Sequence, residues 1–226
     1  MIVSWLNVLT MAMEGTHIRF ALDLKDRYLK IADLSAYLSG TVYPDSRYIT
    51  KIDRSLTHGD EIKRLDPAKT DFELGMAVHS ICDQLQGEIF KPYTMGMEPG
   101  GRTWWTARTA MKWLQDLDDI RRFPIRDYVP LINQIEPRHQ EPLELLEKYN
   151  SLIRGFYSKD ISLSSYVEFC AVFFENEAFA QEIGKQAHSY QTDVLVMEMI
   201  GTAHGRMLVA FDAGWKKDRW RPTSDF

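Results

Sequence analysis

Apolar residues recur at helical spacing along almost the whole of this chain, and no stretch alternates apolar and polar with a period of two. A period near 3.6 commits a segment to an amphipathic helix, whose single apolar face must pack on another helix. Ile18, Leu22, Leu24 and Tyr28 draw the first such face, with Gly15 or Thr16 to start it. Residues 33–40 (DLSAYLSG) form a second, short helix, with Asp33 as its N-cap and Gly40 as its stop. Residues 41–70 hold two prolines, a glycine and many polar side chains, and read as a long loop with room for a turn of helix. Loops of that length in compact domains are usually functional or disordered.

Thr70 or Asp71 caps the next helix, which runs to about residue 90. A tryptophan-rich helix covers 102–122 and contains Trp104, Trp105 and Trp113, which read as core and groove-wall residues. Shorter runs follow at 126–135 and 142–157, then one from Ser162 or Ser164 into 174. An unbroken pattern from Asn176 to about Gly214 reads as one long helix, and the basic, aromatic segment 215–220 after it as a partly ordered tail. The expected architecture is all-α: one domain of about seven helices over 1–226, with a long functional loop between the second and third helices and 1–13 as an N-terminal extension.

Composition narrows the function classes. A chain of 226 residues with 45% hydrophobic and 26% charged residues can bury one large core. Its formal charge of −5 disfavours binding to nucleic acid through net charge. Two cysteines cannot form a disulfide framework, which makes a reducing cytoplasm the default compartment. The longest nearly uncharged run, 1–13, falls short of the roughly 20 residues a membrane-spanning helix needs. It also lacks the basic start of a secretory signal.

The chemistry-bearing residues cluster early. His79 and Asp83 stand four apart in GMAVHSICDQ, which places both on one face of a helix. Imidazole and carboxylate both bind zinc at about 2 Å, so the pair is a platform for a divalent ion. Asp45 follows Pro44, His58 sits in THGDE within the long loop, and His17 sits in GTHIRF at a helix start. A protonated histidine gains nothing from the helix dipole there, so a neutral, metal-bound imidazole suits His17 better. Of the other histidines, His139 reads as a solvated loop residue, and His188 and His204 lie on the last helix, His204 as a packing contact.

The order of these residues resembles that of the zinc-dependent phospholipase C family and the related fungal zinc nucleases for single-stranded nucleic acid. The likeness covers about residues 15–84: T-H near the start, G-x-x-x-P-D, an isolated T-H-G, then H-x-x-x-D on a helix. It implies an all-α enzyme in which Asp45, His58, His79 and Asp83 hold a first zinc. It further implies that His17 holds another ion, with Asp83 bridging. The family completes that site with its N-terminal amine, whereas sixteen residues precede His17 here. The family's later second-zinc ligands have no counterpart, Ile89 standing where a histidine would be expected, which implies one or two ions rather than three.

Two histidines and two carboxylates balance a divalent charge and leave positions open for water, so phosphoester hydrolysis is the natural reaction class. Zinc is the expected ion, with Mn or Fe as alternatives. Asp45 and Arg47 are the candidate catalytic residues. Arg19, Arg47 and Arg54 are the candidate phosphate contacts, Arg47 first because it is nearest Asp45, and Asp60 and Glu61 are candidates to orient imidazoles. A small phosphorylated molecule is the expected substrate. Two alternatives remain: an HD-type metal-dependent phosphohydrolase acting on nucleotides, and a helical binding protein that keeps the fold without catalysis. Gly59 between His58 and Asp60 breaks the His-Asp dipeptide that the first alternative needs.

Overall fold

The computed structural model describes residues 13–59, 62–174 and 176–220. It contains ten α-helices and no β-strand among these residues: α1 Glu14–Arg27, α2 Leu34–Val42, α3 Arg47–Thr50, α4 Arg54–His58, α5 Asp71–Phe90, α6 Arg102–Arg122, α7 Leu143–Tyr157, α8 Leu163–Phe174, α9 Glu177–Gln191 and α10 Val194–Lys216. The all-α class is as expected. The count exceeds seven because the segment read as a long loop folds into a 3-10 turn, Tyr43–Ser46, followed by α3 and α4. The pattern read as one helix from residue 176 onward divides where Asp193, its backbone extended, accepts hydrogen bonds from Leu195 N and Val196 N and so starts α10 afresh. The 126–135 run contains two 3-10 turns, Ile125–Asp127 and Val129–Leu131, in place of an α-helix.

Local sequence accounts for the helices that carry the site. Thr70 starts α5 with a capping box: its hydroxyl accepts from Glu73 N at 3.2 Å, and Glu73 accepts from Thr70 N at 2.9 Å. Asp33 caps α2 through Ser35 N and Ala36 N. Gly40 does not stop that helix, which continues to Val42. Its function is contact: a Cβ on Gly40 would lie 2.0 Å from the Phe72 carbonyl oxygen, and one on Gly75 would lie 2.1 Å from the Tyr37 carbonyl oxygen. The paired glycines thus let the backbones of α2 and α5 touch.

Helix α1 has no capping side chain of its own at Met13. Asp116 of α6 supplies one, accepting from Thr16 N at 2.5 Å, and Asp119 accepts from the Thr16 hydroxyl at 2.8 Å and from Arg19 at 2.7 Å. One core runs through the helices, with Trp113 stacked on Tyr166 at its centre. Cys82 and Cys170 are buried and unpaired.

One expectation for the C-terminal region holds and one needs correction. Helix α10 is long and apolar enough to cross a membrane by length and composition. In the structure it packs instead on α5, α6 and α9, burying Met199, Ala203, Met207 and Phe211. The segment read as a tail is anchored: Trp220 is buried on Phe211, donates to the Phe211 carbonyl at 3.3 Å, and its own carbonyl accepts from Leu65 N at 2.7 Å.

Candidate metal centre

Four separate elements deliver the site. His17 comes from the first turn of α1, Asp45 from the 3-10 turn after α2, His58 from the end of α4, and His79 and Asp83 from successive turns of α5. The contact between α2 and α5 made possible by Gly40 and Gly75 brings the Thr41 carbonyl 2.9 Å from His79 Nδ1. A carbonyl only accepts, so His79 carries its proton on Nδ1 and turns the Nε2 lone pair inward. This is the outer hydrogen bond that typically orients a metal-binding histidine. Thr57 Oγ1 stands 2.7 Å from His58 Nδ1 and orients the second imidazole in the same manner.

The inner atoms converge. His79 Nε2 lies 3.2 Å from His58 Nε2. Asp45 Oδ1 is 3.8 Å from His58 Nε2 and 3.9 Å from His79 Nε2, and Asp83 Oδ2 is 3.5 and 3.8 Å from the same two atoms. Ligands about 2.0–2.1 Å from a tetrahedral zinc lie about 3.3–3.4 Å from each other, so Asp45, His58 and His79 could close on a divalent ion with modest adjustment, with Asp83 Oδ2 beside both imidazoles. Both Asp45 carboxylate oxygens and Asp83 Oδ2 are buried and make no hydrogen bond among the described residues. Unsatisfied buried carboxylate oxygens are costly without a cation to face.

A second donor group shares His79. Glu14, His17 and His79 place one candidate ligand atom each within 4.8 Å of the others, as Asp45, His58 and His79 do. The His17 ring stacks on that of His79 with centroids 3.9 Å apart, and its Nε2 is 3.9 Å from Asp83 Oδ1. Neither ring nitrogen of His17 makes a hydrogen bond among the described residues. Glu14 stands one turn before His17 and accepts from Tyr149. The Glu-x-x-His spacing of EGTH was the sequence signal for it, since residues three apart share a helix face.

Burial and mutual repulsion set the protonation. Burial pushes His17 down to about 3 and, together with His17, holds His79 well below its ordinary value; it also lowers His58. All three imidazoles are therefore neutral at pH 7, the form that binds metals. Burial, then the Asp83 charge, push Asp45 up to about 8. Burial alone would raise Asp83 too, but the Lys112 ammonium and the neighbouring imidazoles overcome it and hold Asp83 well below the usual carboxylate range.

Lys112, on α6, is the residue that the sequence concealed. It is 3% exposed, and its Nζ donates to Asp83 Oδ1 at 3.0 Å. The five residues named from the sequence, His17, Asp45, His58, His79 and Asp83, all lie in this one buried cluster. His58 is buried in it, although THGDE suggested an exposed loop. Arg47 is buried beside Asp45, with Nε 4.0 Å from Oδ1, and packs its guanidinium on the Tyr48 ring. A cleft of about 260 Å³ opens on the cluster; Arg54 lines it and Arg47 does not. Arg19 points away and pairs with Asp119. His204 pairs with Asp23 at 2.7 Å, and His188 is exposed. Asp60 and Glu61 lie outside the described residues.

The cluster can hold a divalent ion on neutral imidazoles and carboxylates, with a cleft opening on one side. Compared with known proteins, the chain has no significant match to any family model, curated protein or solved structure.

Proposed function

We propose that this chain is a metal-dependent phosphoester hydrolase, similar in its ligand order to the zinc-dependent phospholipases C. The observation that carries the reading is convergence: Asp45 Oδ1 and Asp83 Oδ2 each stand 3.5–3.9 Å from His58 Nε2 and His79 Nε2, which are themselves 3.2 Å apart, in a buried cluster built by three elements beside an open cleft. Asp45, His58 and His79 would hold the ion, with Asp83 beside them; Glu14 and His17 make a second donor group with the same His79, whose single Nε2 lone pair can serve only one of the two. Zinc suits two imidazoles with two carboxylates, and manganese or iron compete for such a set. When bound, the ion supplies a water acidified to a pKa near 7 and polarises a phosphoryl oxygen.

The chain's own residues do the rest. Asp45 has two buried oxygens that make no hydrogen bond among the described residues, and burial favours its protonated form, so it would serve as a ligand and as a proton acceptor only with a cation facing it. Arg47, 4.0 Å from Asp45, keeps that carboxylate compensated after the cation is in place. Lys112 sits where the cleft meets Asp83 and can donate to a phosphoryl oxygen as charge develops there. Its fixed charge stands near the cluster in the way a second ion would, which favours chemistry with few metals.

The test is elemental analysis by mass spectrometry of purified protein, with hydrolysis of bis(4-nitrophenyl) phosphate measured alongside. About one or two equivalents of metal and measurable turnover are expected. Asp45→Asn and His79→Ala should lose both while keeping the helical circular dichroism of the parent. A parent protein that stays metal-free after reconstitution with zinc, manganese and iron would overturn the reading.

A further inference from the structure

Helix α10 has two faces of different fate. Its inner face carries Met199, Ala203, Met207 and Phe211 into the core. Its outer face stays apolar while it meets water: only 39% of the helix's apolar stretch is buried, and Leu195 and Val209 are 68% and 72% exposed. Leu195, Glu198, Thr202, Gly205 and Val209 follow one another at intervals of three and four residues, all five exposed. That alternation is the seam spacing by which two helices pack along each other. Small residues at its centre let a second helix come close. A Cβ on Gly205 would meet nothing within 4 Å, and Thr202 already donates its hydroxyl to the Glu198 carbonyl of its own helix at 3.1 Å.

Two opposite charges stand on this face. Glu198 lies toward one end of the seam and Arg206 toward the other, beside Gly205. Eight residues of helix hold them about 12 Å apart along the axis, too far to pair with each other. Neither side chain makes an ion pair or hydrogen bond among the described residues. Their order selects a partner. Positions 198 and 206 lie equally far from 202, and so do 195 and 209. A second α10 laid antiparallel, with the two Thr202 residues at the crossing, therefore sets Glu198 against Arg206 of the second copy and Leu195 against Val209 of the second copy. Each contact then occurs twice, as a two-fold axis requires. A parallel copy would set glutamate on glutamate and arginine on arginine.

We propose that the outer face of α10 is a self-complementary interface that joins two copies of this chain antiparallel about Thr202. None of its residues lines the cleft at the metal centre, so the inference holds whether or not the chain is a hydrolase. From Leu195 to Val209 the seam is about 21 Å long. One helix face of that length buries less than the roughly 800 Å² per partner of a standard interface, which sets the expected dissociation constant in the micromolar range.

The experiment is sedimentation equilibrium of the full chain between about 1 and 200 μM, a range that brackets a micromolar constant. The mass of the parent should rise from that of one chain toward that of two. Arg206→Glu sets four carboxylates at the crossing and should weaken association by about tenfold or more. Glu198→Arg combined with Arg206→Glu exchanges the charges, restores opposite pairs in the antiparallel arrangement and should recover the parent's association. Both positions are exposed, so the helical circular dichroism should be unchanged in each variant. A parent that stays monomeric throughout would overturn the proposal, and binding of that monomer to phosphatidylcholine vesicles would assign the face to a membrane instead. A dimer indifferent to Arg206→Glu, or one that the double exchange fails to recover, would equally overturn it.

Discussion

Gly75→Ala tests the link from helix packing to the metal centre. Gly75 lies on α5 one turn before His79, on the face that meets α2. An added Cβ would sit 2.1 Å from the Tyr37 carbonyl oxygen and 2.6 Å from Thr41 N, both backbone atoms that no side-chain rotation can move. Reaching even the 3.0 Å below which such contacts essentially never occur requires α2 to withdraw by about 0.9 Å. That displacement is applied to the turn whose Thr41 carbonyl bonds His79 Nδ1 at 2.9 Å, so the bond stretches beyond hydrogen-bonding range. Overpacking of this kind costs about 1–3 kcal/mol, a fall of roughly 2–12 °C in Tm for a domain of this size. Loss of the outer partner of a metal-binding histidine weakens metal binding by about 10–100-fold. Zinc affinity by competition with a chromophoric chelator, with melting curves alongside, measures both. Gly155→Ala is the control, since a Cβ there meets nothing within 4 Å, and alanine in α7 should be neutral or stabilising. If Gly75→Ala bound zinc as tightly as the parent, the claim that backbone contact between α2 and α5 sets the His79 geometry would fail.

The helical class was readable because it rests on periodicity, which survives in the sequence whatever the helices pack against. The caps were readable for the same local reason: Asp33 and Thr70 act within three residues of themselves. Gly40 was misread because a glycine near a helix end looks the same whether it ends the helix or admits a neighbour. Only the position of Phe72, more than thirty residues away, decides between them. The break before α10 was missed because Asp193 is a capping residue without the proline or glycine that usually marks one. Trp220 looked like part of a tail because its partners, Phe211 and Leu65, lie nine residues back, within α10, and on a distant segment respectively.

The site divides along the same line. His17, Asp45, His58, His79 and Asp83 could be picked out because imidazole and carboxylate are few in kind and their spacing is ordered. Lys112, Arg108 and Asp116 could not, because a lysine, an arginine or an aspartate on a long helix is ordinarily solvated. What sets them apart is that α6 packs this face on α1 and reaches α5 through the Lys112–Asp83 and Gln115–Gln86 side-chain bonds, and that orientation is long-range packing. Helix α6 thereby performs three tasks from one face. Asp116 and Asp119 fix the start of α1 and with it His17, Lys112 balances Asp83, and Arg108 lines the cleft.

The remaining predictions follow from these placements. Asp116 accepts from Thr16 N, Tyr157 and Tyr166, yet burial pushes it up to about 7. A folded pKa raised above the unfolded value of about 3.9 contributes stability present at low pH and lost as pH rises toward 7. The stability of the parent relative to Asp116→Asn, from urea unfolding, should therefore fall between pH 4 and 7, by at most about 1.4 kcal/mol per pH unit, and a pH-independent difference would refute this. Trp220→Ala should cost about 3–5 kcal/mol in the same assay, because the ring fills the space on Gly214 and Phe211 and donates to the Phe211 carbonyl; a change under 1 kcal/mol would mean that the segment is a tail after all. Lys112→Met separates the two cations that can face Asp83. Without metal, the variant leaves the Asp83 carboxylate buried and unpaired, a loss of about 3–5 kcal/mol for a broken buried pair. A divalent ion at the cluster would restore a counter-charge to the same carboxylate. Zinc should therefore raise the Tm of Lys112→Met by more than it raises that of the parent. An equal rise in both proteins would show that the ion does not meet Asp83, and that the carboxylate belongs to the lysine alone.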